Sequence, residues 1–128
     1  MVRHQMRSPL GRAAWLGSAK EGVEHWWRER VTAIALVPLT LWFVASIIAH
    51  GGSDYSVLVT WLKTPFATLM MVLLLIAVFY HTALGLQVVI EDYVHSAVKI
   101  PALVAMRLGC LVCAVAGILA MLQIAFGS

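Results

Sequence analysis

Charge is what this sequence has least of: 12% of its 128 residues are Asp, Glu, Lys or Arg, and six of these are acidic. A soluble domain draws about 25% of its residues from those four types, so water is not this chain's main solvent. Cysteine is nearly absent as well. Cys110 and Cys113 are the whole supply, too few for the thiolate ligation of an iron–sulfur cluster, and inside an apolar run they read as small packing side chains. There is no glycine-rich dinucleotide fingerprint, no internal repeat and no low-complexity run. A dehydrogenase centre is therefore not expected within the chain. The net charge of +3 does not point to nucleic acid either, because the basic residues form no stripe with aromatic side chains suited to base stacking.

What fills the sequence instead is apolar: 62% of residues are hydrophobic and the mean hydropathy is +0.90. Three uncharged stretches, 31–53, 64–90 and 108–128, are each long enough to cross a hydrocarbon core of about 30 Å. Six of the nine basic residues (Arg3, Arg7, Arg12, Lys20, Arg28 and Arg30) precede the first stretch, while the loop 50–63 holds only Lys63. The positive-inside rule then puts the amino terminus in the cytoplasm, returns the loop 91–99 to that side and leaves the carboxyl end across the membrane. Arg107 is expected to snorkel to the cytoplasmic surface. The expected fold is all-α, an integral membrane protein with three transmembrane helices. A cytoplasmic and interfacial segment covers 1–30 and the three-helix anchor covers 31–128.

The first thirty residues lack the apolar core and small-residue cleavage site of a signal peptide, so they are expected to stay attached. Trp26 and Trp27 stand just before the first span, where indoles favour the headgroup interface. Pro38 is a candidate kink, and Pro65 suits the first turn of the second helix.

An ionisable group within a span is costly without a partner, which makes His81 the outstanding residue. It lies nine positions before Ile90, about 14 Å from that end at 1.5 Å per residue. Three roles fit a histidine there: a hydrogen bond to a neighbouring helix, a proton relay, or an axial ligand to haem iron. His50, at the far end of the first span beside Gly51 and Gly52, reads as a water-accessible residue. Asp92 follows His81 by eleven positions and shares its helix face. Gly85 opens space on that face, and Glu91, Asp92 and Tyr93 emerge at the interface.

The segment His81-Thr-Ala-Leu-Gly85-Leu-Gln87-Val-Val-Ile-Glu-Asp92-Tyr93-Val94 resembles the haem and quinone segment of the hydrophobic membrane anchor of succinate dehydrogenase. Arg30-Val-Thr32-Ala33 is similar to the start of that family's first helix, and the Trp26-Trp27 region looks most like its alphaproteobacterial and mitochondrial branch. The resemblance covers the first two spans; the third span and residues 1–23 match in character alone. It implies a subunit of respiratory complex II in a bacterial or mitochondrial inner membrane. A flavoprotein with FAD and an iron–sulfur subunit would deliver electrons from succinate, and a second, cytochrome b556-like three-helix anchor would share haem b. His81 would be an axial ligand of the haem iron. Tyr93 would hydrogen-bond a ubiquinone carbonyl, Asp92 would shape that pocket, Arg30 would lie near a haem propionate or the pocket, and His25 would approach the haem. A haem-free structural anchor of the same complex and a small proton-coupled transporter remain as rivals; the transporter would want ionisable residues on several spans at the depth of His81.

Overall fold

The computed structural model describes residues 17–127, with side chains from position 22 onward. Residues 1–16 of the segment expected over 1–30 lie outside the described residues, and with them Arg3, Arg7 and Arg12. Four helices follow one another: α1 Gly17–His50, α2 Tyr55–Leu62, α3 Pro65–Tyr93 and α4 Lys99–Phe126, with no strand among the described residues. Three of them are long and apolar enough to cross a membrane, over Gly22–His50, Pro65–Tyr93 and Lys99–Phe126.

Each span outruns its uncharged core. Twenty-nine residues of α1, from Gly22 to His50, measure about 43 Å at 1.5 Å per residue, against a hydrocarbon thickness of about 30 Å. The extra length is polar helix. His25 and Glu29 pair at 3.0 Å, and Arg28 and Glu24 approach to 4.0 Å, both at i,i+4 spacing, which supports a helix in water or at an interface. Residues 30 and 31 therefore fall within one continuous rod. The rod also runs through Pro38. Pro38 offers no N–H to the Ile34 carbonyl, and two residues on the Thr40 hydroxyl donates to the carbonyls of Leu36 and Val37.

The link expected as a plain loop over 50–63 instead contains α2. Val57, Leu58, Val59, Trp61 and Leu62 make it strongly apolar, yet it buries no residue, as suits a helix lying against a membrane surface. The turn before it needs a small residue: a Cβ on Gly51 would sit 2.6 Å from the Ile47 carbonyl oxygen. Thr64 then caps α3 by accepting from the Ala67 N–H at 3.4 Å, with Pro65 in the first helical position.

α3 is the middle of the bundle, packing α1 on one side and α4 on the other. Leu39 of α1 meets Leu74 and Ala77 of α3 in the buried core. Ala67 has no exposed surface. On the α4 side, a Cβ on Gly117 would stand 3.1 Å from a methyl of Leu75, so the missing side chain is what lets those helices close up. Along α1 the shielded positions 25, 29, 32, 36, 39, 43 and 46 recur at intervals of three and four, the period of a helix seam. Its other side is bare: Ile34, Val37, Leu41 and Ile48 are each more than half exposed. α4 starts at Lys99, ahead of its uncharged run, because Pro101 falls in the first turn, where no intrahelical N–H bond is lost.

Candidate functional site

The α1 seam and the face of α3 meet at one polar contact. Thr32, buried to 9% exposure, places its hydroxyl oxygen 2.8 Å from His81 Nδ1. The same oxygen lies 2.8 Å from the Arg28 carbonyl and 3.0 Å from the Glu29 carbonyl, one turn back along α1. A hydroxyl has one proton and the carbonyls can only accept. With the proton directed at them, Thr32 accepts from an Nδ1–H of His81, and both groups are bonded. The reverse arrangement, Thr32 donating to a bare Nδ1, forfeits one hydrogen bond, worth about 0.5–1.5 kcal/mol net. The favoured imidazole thus carries its proton on Nδ1 and a free lone pair on Nε2.

Nε2 has no hydrogen-bond partner among the described residues, and it is not sealed in, since no buried side-chain nitrogen or oxygen lacks a partner. One turn along, a Cβ built on Gly85 would meet nothing within 4 Å beyond the adjoining backbone of its own helix and its two chain neighbours. The ring is thus fastened at one nitrogen and open at the other, with clear space on its own helix. Among the described residues no three His, Cys, Asp or Glu side chains gather as a metal site, so a metal at Nε2 would take its remaining ligands from outside that set.

The helix register relates the other expected residues to this contact. α1 and α3 run in opposite directions, so Arg30 lies about 3 Å along the axis from the level of Thr32 and His81, from two residues at 1.5 Å each. It stands on a different side of α1, exposed, with its guanidinium 5.1 Å from the ring centre of Trp26. Trp27 meets Trp26 edge to face at 5.1 Å. His25 is on the seam with Thr32, and its Nε2 is engaged by Glu29. Asp92 and Tyr93 sit at the end of α3, both exposed, about 17 and 18 Å along the axis from His81. The structure therefore brings Thr32 to His81 and leaves Asp92 and Tyr93 as a separate group at the helix exit.

Two polar features went unforeseen. Arg107 does not reach for the surface alone: its Nη2 donates to Gln87 Oε1 at 3.0 Å, and Gln87 Nε2 donates to Glu91 Oε1 at 3.1 Å, tying α4 to α3 just before Asp92. The second is Thr32 as the partner of His81; its place among seam positions at three-and-four spacing was the available signal. His50 is at the opposite end, where its ring stacks on Trp61 at 4.3 Å and Nδ1–H donates to the Ser46 carbonyl at 3.1 Å.

Three apolar spans, one of them carrying a tethered histidine, define a multi-pass helical membrane anchor with no metal cluster of its own among the described residues. The family described as the succinate dehydrogenase/fumarate reductase transmembrane subunit matches residues 4–122, and the chain belongs to that family. It is similar to the succinate dehydrogenase hydrophobic membrane anchor subunit of Rickettsia bellii, 38% identical over 93 residues, which cover 73% of this chain and 74% of the relative. The subunit of the same description from Rickettsia conorii is 30% identical over 92% of this chain and 95% of its own length. That of Paracoccus denitrificans is 31% identical over 76% and 75%. The chain is accordingly an inner-membrane anchor of an enzyme complex, with the succinate chemistry residing in other subunits. Membership in this family removes the ground for the transporter reading.

Proposed function

We propose that this anchor co-binds haem b with a second three-helix subunit and contributes the phenol of Tyr93 to a ubiquinone-reduction site. The observation that carries the haem reading is the imidazole of His81, fastened through Nδ1 with Nε2 open. Histidine ligands of metals are commonly held in this way, the other ring N–H donating to an oxygen of the protein. Gly85 leaves room for a flat macrocycle alongside. Arg30, exposed and near the level of His81, suits a propionate carboxylate. Bis-imidazole ligation needs a second histidine, and the described residues offer no other at this level, so the partner anchor supplies it. Haem b in such a place provides a one-electron centre within the membrane.

At the exit of α3, Tyr93 offers an O–H donor and Asp92 a carboxylate where apolar helix meets water. A donor aimed at a quinone carbonyl binds more strongly as the oxygen gains negative charge, and the carboxylate gives protons a route from bulk water. The excess of basic residues before the uncharged run at 31 argues for this end lying in the cytoplasm. There an iron–sulfur subunit, reduced by a flavoprotein, would dock. The test is His81→Ala in the assembled complex, followed by redox-titrated absorption and electron paramagnetic resonance. The low-spin b-type signal is expected to vanish or shift. An unchanged signal would show that His81 is not a haem ligand, and a parent complex lacking the b-type band altogether would make the chain a haem-free structural anchor.

A further inference from the structure

We infer that Thr32 is a positioning residue for His81: held by its bonds to the Arg28 and Glu29 carbonyls, its hydroxyl accepts the Nδ1–H and presents Nε2 unprotonated and in a fixed ring plane. The inference deepens the haem reading and rests on it. Its geometry is independent of any bound group. Thr32 and His81 are 49 residues apart in sequence and 2.8 Å apart in space, and Thr32 is among the few buried polar residues of the bundle.

The chemistry follows from what an outer hydrogen bond does to a ligand. An oxygen that accepts from Nδ1–H fixes the tautomer and the ring orientation and makes Nε2 a better electron donor. A ring without that acceptor can exchange tautomers, rotate about its side-chain bonds and donate less strongly. Loss of such a partner commonly weakens metal binding by about 10–100-fold. A weaker donor also favours the reduced iron, so the midpoint potential of the haem moves upward.

The experiment uses the purified four-subunit complex with Thr32→Val, Thr32→Ser and His81→Ala in this chain. Haem per flavin is measured after extended detergent washing, the midpoint potential by redox titration, and the low-spin g-values by electron paramagnetic resonance. Thr32→Val keeps the branched shape and removes the hydroxyl. It is expected to lose haem at least tenfold more readily, with a raised midpoint and broadened g-values, whereas Thr32→Ser retains the hydroxyl and stays close to the parent. A threonine that only packs α1 against α3 would move none of these in the serine and valine pair. Haem retention, potential and g-values unchanged in Thr32→Val overturn the inference while the haem reading stands. Should Thr32→Val not assemble, Thr32→Ala puts the same question with the same two outcomes. A low-spin signal that survives His81→Ala overturns both.

Discussion

Tyr93→Phe removes one hydrogen-bond donor and leaves the ring, so it isolates the role proposed for the phenol. Succinate–quinone activity is expected to fall by about 10²-fold, the usual cost of one donor aimed at developing negative charge. Reduction of a soluble dye that takes electrons upstream should persist in the same preparation. If quinone reduction and inhibitor affinity both survive, Tyr93 is an interfacial aromatic and no more. His50 supplies the contrast, because its ring is occupied by Trp61 and the Ser46 carbonyl at the far end of α1. His50→Ala should leave the b-type spectrum untouched, and a changed one would bring that end into the haem's surroundings. The difference between the two histidines was partly legible in the sequence, since depth in a span separated them. The partner of His81 was not. A hydroxyl on another helix enters only through the rotation of α1 against α3, and that rotation is decided by packing at Leu39, Leu74 and Ala77.

The helices were legible to the extent that uncharged runs mark hydrocarbon, and they were underestimated where polar residues extend them. α1 begins fourteen positions before its uncharged run at 31, because residues such as Glu24, His25, Arg28 and Glu29 prolong the helix by i,i+4 pairing. α2 escaped because Gly51 and Gly52 announce a turn and a helix of eight residues is too short for a span. The α3 and α4 pair gives a test at this scale. Gly117 faces Leu75 at 3.1 Å, whereas nothing lies within 4 Å of a Cβ on Gly109 of the same helix. Gly117→Leu is expected to cost about 1–3 kcal/mol through overpacking, seen as lower thermal stability of the complex in detergent, while Gly109→Ala is tolerated. Equal loss from both would mean that α3 and α4 do not close on each other at Gly117.

The whole molecule is a thin bundle with much of its surface unclaimed. In the most apolar stretch of each of its three spans only 11%, 17% and 6% of the residues are buried, and His81 and Arg30 bring polar groups to a hydrocarbon medium that rewards only satisfied ones. Expressed without a partner anchor, the chain is expected to be degraded or to aggregate, and co-expression should rescue it. A stable, monodisperse chain in detergent without a partner would count against an obligate pair. Sidedness belongs to this scale too. A reporter fused to the carboxyl end should read as external if the basic residues before the uncharged run at 31 hold their end in the cytoplasm.

The bond between Thr32 and His81 also has a timetable. Its two halves are 49 residues apart, and a ribosome adding about 5–20 residues per second separates them by about 2.5–10 s. During that interval α1 is already a rod with an open place on its seam, and no imidazole is beside it. Only after α2 has turned the chain back and α3 has entered the bilayer does the ring meet its hydroxyl. A chain halted between the first and second spans would thus have its threonine and no histidine to orient, and the haem binding proposed for this site would have to wait for the end of the second crossing.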